Sequence, residues 1–375
     1  MSDACASDDP EVGTNDISDG GASDASNGSA SDDPEAGTRD ASEGGASDAS
    51  EGGASDAPDG GASADEISLT VCLCTRNRPA YVRHCLAGLR RQTVGSARFD
   101  VVVVDSGSTP GPRAELAGIV AAHPGVKLVR LDQSGVSLAR NVGACAAGAE
   151  YVAYIDDDAV PAVDWVERII SAIREAPSPP AVIGGRILPV WEAPLPDWWP
   201  VSLRGVLSII ETEGCGEYRT PDLPSTLEPY GANVTIRVPA MLAVGGFGTK
   251  VGRKGDILLS DEEVQLAWRL QDAGHSARYD SRIVVYHHIQ SLRLTPGWLL
   301  SRLYWQGVST VISRRLLGHP GSVWRELPRR LAVALTFAPA TLCRRDSIGW
   351  IALRWRFAYA CGFIRAALRW RLTVG

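Results

Sequence analysis

Tyr151-Val-Ala-Tyr-Ile-Asp-Asp-Asp-Ala-Val-Pro161 begins as an apolar, aromatic run of strand type and stops at three adjacent carboxylates, Asp156, Asp157 and Asp158. Adjacent negative charges repel one another unless a cation or hydrogen-bond donors offset them. In an open α/β sheet, ligands bind at the carboxyl ends of the strands. The stretch therefore predicts a buried strand ending in a charged, metal-holding site. Strand alternation predicts that Asp156 and Asp158 share one side while Asp157 points away.

Upstream, the chain repeats one rhythm. Leu69-Thr-Val-Cys-Leu-Cys74 reads as a strand, followed by Thr75-Arg-Asn-Arg-Pro79 and a helix from about Ala80 to Gln92. Phe99-Asp-Val-Val-Val-Val-Asp105 is apolar on both faces, as a central parallel strand is. A further helix, a strand at Val126 to Leu131 and a helix from about Ser137 to Gly148 lead into the acidic strand. Strands alternating with helices predict a mostly parallel sheet with helical crossovers.

Downstream, a helix is expected around Trp165 to Glu175 and a strand at Ala181 to Gly185. Residues 186–230 read as irregular, with Trp191, Trp198 and Trp199 among prolines. They suit either a platform beside the substrate or a surface loop anchored by buried tryptophan. Tyr230 to Arg237 reads as a strand, and Leu258 to Leu270 as a helix with Ser260 a plausible N-cap and acids in its first turn. Ala277 to His288 brings in a last strand with two histidines.

The net charge of −7 over 375 residues conceals strong segregation. Residues 1–66 hold 18 Asp or Glu and one basic residue, Arg39, in repeats of Gly, Ala, Ser and Asp. Such a segment has little to bury and is expected to be a disordered acidic tail. From Arg293 on there are 14 Arg against Glu326 and Asp346. The apolar run Leu331 to Cys343 is shorter than the roughly 20 residues a spanning helix needs. With Trp350, Trp355, Phe363 and Trp370 among arginines, residues 291–375 suit helices at an anionic membrane surface, or a helical subdomain packed on the core. The eight cysteines form no C-x-x-C pair and no secretory signal precedes them, so reduced, mostly buried thiols in a cytoplasmic protein are expected. The basic end would then meet the cytoplasmic face of a membrane.

Two carboxylates at a strand end can bind a hard divalent cation and leave positions open for phosphate oxygens. Thr75, Arg76, Arg78, Asp105, Arg140 and Asn141 lie at strand ends or early in a helix, where they could meet a nucleotide. Neither G-x-G-x-x-G nor a Walker A loop is present, which argues against dinucleotide dehydrogenases and P-loop enzymes.

The motifs Val71-Cys-Leu-Cys-Thr-Arg-Asn-Arg-Pro79, Val103-Val-Asp-Ser-Gly-Ser108, Ala139-Arg-Asn-Val-Gly143, Ile155-Asp-Asp-Asp158, Gly231-Ala-Asn233, Gly245-Gly-Phe247, Ser260-Asp-Glu-Glu263 and Arg302-Leu-Tyr-Trp-Gln-Gly307 follow one another from roughly Ser68 to Ser309. In these the chain resembles the family-2 glycosyltransferases. The resemblance implies an α/β fold of GT-A type: a Rossmann-like, mostly parallel central sheet flanked by helices, with a catalytic domain over residues 67–290 and a C-terminal helical extension.

It also implies inverting transfer from a nucleotide-sugar donor, a UDP-sugar foremost, assisted by Mn²⁺ or Mg²⁺, to a saccharide, a lipid-linked saccharide or a small natural product; no nucleic-acid partner is expected. Thr75, Arg76, Arg78, Asp105, Arg140, Asn141, Asp156 and Asp157 are the implied nucleotide-sugar residues. Asp156, Asp158 and His287 are the implied metal ligands, a core histidine being the other reading of His287. Asn233, Trp305 and Gln306 fall on the acceptor side. Ser106 replaces the second acid that often follows Asp105. Register against Arg269 puts the general base at Glu263, with Glu262 and Asp261 open. Two other classes compete. A sugar-phosphate nucleotidyltransferase would carry a glycine-rich loop where Thr75-Arg-Asn-Arg-Pro79 has no glycine; an inactive nucleotide-sugar binding module is argued against by the intact acids.

Overall fold

A computed structural model of the chain describes residues 67–95, 98–342 and 348–369. The acidic tail of residues 1–66, with Trp370 and Arg371 at the other end, lies outside the described residues. Three βα units and a fourth strand open the fold: β1 (Leu69–Thr75), α1 (Pro79–Leu89), β2 (Asp100–Ser106), α2 (Pro110–Ala121), β3 (Val126–Leu131), α3 (Val136–Ala146) and β4 (Tyr151–Asp156). Pro79 and Pro110 stand in the first turns of α1 and α2, where a missing amide hydrogen costs nothing. The four strands are parallel in the order β3-β2-β1-β4. Val102, Val103 and Val104 of β2 are buried, as a strand covered on both faces requires.

The sheet continues through β5 (Ala159–Pro161), α4 (Trp165–Glu175), β6 (Val182–Trp191), a 3-10 turn at Val201–Leu207, β7 (Cys215–Glu217), β8 (Val234–Arg237), α5 (Val238–Ala243), α6 (Glu262–Asp272) and β9 (Ala277–Ile289). Its order is β3-β2-β1-β4-β8-β6-β9-β5, with β7 on β9; β8 runs antiparallel between β4 and β6. This antiparallel strand makes the site. Its pairing with β4 ends at Tyr154↔Val234, whereas β1 pairs through Cys74↔Asp156. The last residues of β4 thus lose one neighbour, and the sheet opens where the carboxylates begin.

Two expectations change. The strand predicted to end at Gly185 runs on to Trp191, because β6 pairs with β9 beyond a register shift between Gly185 and Arg186. The irregular stretch is shorter as a result, and Pro189 concealed the strand. The helix predicted from Leu258 begins at Glu262; Asp261, not Ser260, holds the N-cap position, at φ 76° and with no side-chain capping bond.

After a 3-10 turn at Ser291–Leu294 come α7 (Pro296–Leu316), α8 (Pro320–Leu342) and α9 (Ile348–Arg369). The described residues from Ile67 on belong to one compact unit. A second apolar cluster ties Trp199, Leu207 and Ile209 to Ile289, Leu299 and Leu303, with Trp355 of α9 against it. Helices α7 and α9 cross in contact: a Cβ at Gly307 would collide with the Tyr359 carbonyl, and one at Gly362 with that of Tyr304. Among the described residues, no helix is long and apolar enough to cross a membrane. Cys72, Cys74, Cys85, Cys215 and Cys361 are free thiols. Cys145 is disulfide-bonded, which corrects the expectation of uniformly reduced cysteines at that position.

Candidate active site

The open end of the sheet borders a cavity of about 990 Å³. Thr75, Arg76 and Arg78 after β1, Arg140 on α3, Asp156 on β4 and the triplet Asp261, Glu262 and Glu263 at the start of α6 all line it. The strand-end acid and the helix-end acids, far apart in sequence, therefore share one chamber. The opposite wall comes from the 3-10 segment near Ser202, from Glu228 and Tyr230, and from Arg302, Gln306 and Trp355 of the C-terminal helices.

The three carboxylates after β4 divide differently from strand alternation. Asp156 alone lines the cavity, its side chain 35% exposed. The chain turns after it, so alternation stops and Asp157 and Asp158 are both buried. Asp157 accepts from Thr75 Oγ1 at 2.6 Å and pairs with Arg78 Nη2 at 2.5 Å. Asp158 Oδ2 accepts from Arg78 Nη1 at 2.8 Å, Gln290 Nε2 at 2.8 Å and Arg293 Nη2 at 2.7 Å. Burial alone would raise Asp158, but Arg293, His287 and Arg78 hold its carboxyl well below the ordinary range. It stays ionised.

Asp158 Oδ1 makes no hydrogen bond and lies 3.3 Å from Nε2 of the buried His287. An orphaned carboxylate oxygen beside an imidazole nitrogen, with Asp156 exposed nearby in the chain, suits a hard cation. Among the described residues, no three of His, Cys, Asp and Glu form a metal-holding group by themselves. An ion there would need further oxygens from a ligand. His288 faces elsewhere, its ring near those of Tyr81 and His84.

Arg140 links the two ends of the chamber. Its Nη1 donates to Glu262 Oε1 at 2.9 Å and to Glu263 Oε1 at 2.8 Å, and its Nη2 lies 3.4 Å from Asp156 Oδ1. The guanidinium also sits over the Phe247 ring, 5.5 Å from its centroid. A buried cation among three acids stays charged, and it fixes those acids in place. Burial, then Glu263, pushes Glu262 up to about 8, with Arg140 opposing. The Gly231 amide donates to Glu263 Oε1 at 2.8 Å. Burial also raises Asp261, whose Oδ1 accepts from Gln306 Nε2 at 2.7 Å and Ser260 Oγ at 3.0 Å.

Several residues read as nucleotide or acceptor contacts are occupied within the fold. Asp105 is fully buried; its two oxygens accept from the Ser108 amide at 3.0 Å and from Arg113 Nε at 3.1 Å. Asn141 donates to the Phe247 carbonyl at 2.9 Å and accepts from the Phe247 amide at 2.8 Å, pinning the Gly245-Gly246 turn. Asn233 accepts from Trp165 Nε1 and donates to the Arg186 and Ile283 carbonyls. Asp105, Asn141, Asp157, Asp158, Asn233, His287 and Trp305 are not in the cavity lining; Gln306 is. Ser106 lines the cavity and accepts from the Gly135 amide at 3.0 Å. Arg253, Arg293, Tyr230 and Glu228 were not foreseen, because no spacing marks them; Arg302 opens the motif Arg302-Leu-Tyr-Trp-Gln-Gly307 but was assigned no role there.

Residues 70–198 match the profile described as "Glycosyl transferase family 2". The chain is 31% identical over 179 residues to a glucosyl-dolichyl phosphate glucuronosyltransferase of Haloferax volcanii, covering 48% of this chain and 55% of that protein. It is 28% identical over 243 residues to a pre-mycofactocin glycosyltransferase of Mycobacterium tuberculosis, covering 64% and 47%. The chain thus spans about half the length of the curated relatives it matches. A mannosyltransferase from Pyrobaculum calidifontis, solved in complex with GDP-Man and Mn²⁺, superposes with a TM-score of 0.53 at 18% identity, over 82% of this chain and 88% of that one. The mostly parallel α/β sheet flanked by helices accordingly has the GT-A architecture expected from the sequence.

Proposed function

We propose that this chain, which belongs to glycosyl transferase family 2, moves a sugar from a nucleotide-sugar donor to a hydroxyl acceptor with inversion at the anomeric carbon. The observation that carries this reading is the shared chamber, in which Asp156 and the acids of α6 lie on either side of Arg140. The donor's diphosphate is assigned to the end with Arg76, Arg78 and Asp156. A divalent ion, Mn²⁺ or Mg²⁺, would be held by Asp156, Asp158 and His287 together with donor phosphate oxygens. Bound there, it would neutralise charge that develops on the departing diphosphate. The mannosyltransferase's complex with GDP-Man and Mn²⁺ supports both a nucleotide-sugar donor and a metal. The base of the nucleotide, UDP or GDP, is left to experiment.

Glu263 is the proposed general base. It lines the cavity on the acceptor side and its carboxylate is oriented by Arg140 and the Gly231 amide. It would take the proton of the acceptor hydroxyl as that oxygen bonds to the anomeric carbon and the bond to the diphosphate breaks. Glu262 is less suited, because burial keeps it protonated up to about pH 8. The test is incubation of the protein with Mn²⁺ and a panel of UDP- and GDP-sugars, measuring nucleoside diphosphate release. No release and no binding with any donor would overturn the reading.

Peripheral membrane contact forms part of the proposal. Trp324, Leu331 and Leu335 are exposed on α8 at helical spacing, beside exposed Arg325 and Arg329. Such a face suits an anionic bilayer surface, as a lipid-linked acceptor would require. Flotation with anionic liposomes, comparing the wild type with Leu331→Glu/Leu335→Glu, tests it; equal flotation would remove the contact.

A further inference from the structure

Arg302 of α7 is 8% exposed and lines the cavity. Its one hydrogen bond is from Nη1 to the neutral amide oxygen of Gln306 at 2.7 Å, and it makes no ion pair with any described residue. A buried guanidinium without a carboxylate is costly, and native structures rarely leave one unless it has a partner to bind. The other buried arginines of the site are matched, Arg140 by Glu262 and Glu263 and Arg293 by Asp158, as is the half-buried Arg78 by Asp157 and Asp158. Asp261, on the same wall, uses Oδ1 to accept from Gln306 and Ser260 instead.

The surroundings extend the same deficit. Arg253 lines the cavity and repels Arg302, so burial and then Arg253 push Arg302 below its ordinary value. Tyr230 lines the cavity too, and its hydroxyl shows no hydrogen bond among the described residues. Arg302 shares its part of the lining with Asp261, Tyr230 and Glu262, beside the base, whereas Arg76 and Arg78 stand with Asp156 at the diphosphate end.

We propose that Arg302, with Tyr230 and Arg253, forms an oxyanion subsite for the acceptor, so that the acceptor carries a phosphate or carboxylate close to the hydroxyl that receives the sugar. This deepens the transferase reading and rests on it for the word acceptor. Arg302 can give a carboxylate or a phosphate two parallel hydrogen bonds, which fixes orientation as well as charge. Neutral acceptors would leave the cation unpaired and bind poorly for that reason.

The test titrates the full chain with glucose 1-phosphate, methyl glucuronoside and methyl glucoside, each with and without Mn²⁺ plus whichever of UDP and GDP binds. At least one anionic probe is expected to bind about tenfold or more above methyl glucoside, the range of a charge-assisted hydrogen bond. The preference is expected to persist when the nucleotide is bound. Phosphate against carboxylate is decided by which probe shows it. Arg302→Gln should abolish the preference with nucleotide affinity unchanged, and Arg302→Lys should keep part of it. A preference that survives in Arg302→Gln would overturn the subsite. So would competition between probe and nucleotide, which would give Arg302 to the donor's diphosphate. If Arg302→Gln does not fold, the wild-type competition and Arg302→Lys decide by the same criteria. If no nucleotide binds but the Arg302-dependent preference remains, the transferase reading fails and the anion subsite stands.

Discussion

The backbone amide of Gly231 donates to Oε1 of Glu263 at 2.8 Å, joining the loop before β8 to the first turn of α6. That short bridge leaves no room for a side chain. A Cβ at position 231 would collide with both the Glu263 carboxylate and the Arg140 guanidinium.

Gly231→Ala should therefore displace the proposed base and its cation together. A misplacement of about 1 Å in a reacting group can lower rates about 100-fold. A fall in kcat of that order is expected, with nucleotide affinity within about threefold, measured by diphosphate release and by titration. Near-normal kcat would show that Glu263 does not act from its observed position.

Glu263→Gln keeps the shape and one accepting oxygen for Arg140 and the Gly231 amide but cannot take a proton. Loss of a positioned base costs about 10²–10⁴ in rate. Turnover should fall by that factor while donor binding is retained. Asp261→Asn, assayed beside it, should cost far less; the reverse order would move the base to Asp261.

Asn141→Ala should act on stability and spare nucleotide binding. It removes both bonds to Phe247 in a half-buried setting. About 2–3 kcal/mol of destabilisation is expected from two lost hydrogen bonds, read from the urea midpoint. A loss of nucleotide affinity in still-folded protein would return Asn141 to the binding set.

Glu228 supplies a pH signature. Burial pushes its carboxyl up from 4.5 to about 7, while the Trp268 indole, which donates to it at 3.2 Å, draws it down. A raised carboxylate binds its proton more tightly folded than unfolded. Its stabilisation is complete below about pH 4.5 and is lost as pH rises to about 7, by roughly 3 kcal/mol at most. Glu228→Gln should flatten the fall in melting temperature across that window. An unchanged slope would show that Glu228 ionises normally.

Much of this architecture could be read before the structure. The alternation of strands and helices before Tyr151 announced a parallel sheet, and the acids after Ile155 marked its functional end. Facing was harder to read. Arg140 and Asn141 are neighbours on α3, yet one reaches the cavity and the other holds the Phe247 turn, because adjacent helical residues point about 100° apart. Asp157 and Asp158 were misjudged because a turn follows Asp156 and period-two geometry ends there. Arg253 and Arg293 matter only through a surface assembled from distant segments, and no local spacing encodes that; the motif that opens at Arg302 was visible, but not what its guanidinium faces.

The crossing of α7 and α9 at Gly307 and Gly362 has a consequence for synthesis on the ribosome. Trp355 and Tyr359 of α9 complete the chamber wall whose floor is laid by β1 and β4. The strand-end carboxylates emerge and can pair with Arg78 and Arg140 while that wall is still untranslated. During this interval the nascent chain would expose a charged, half-built cleft. Docking of α9 is then the step that turns a folded sheet into an enclosed reaction chamber.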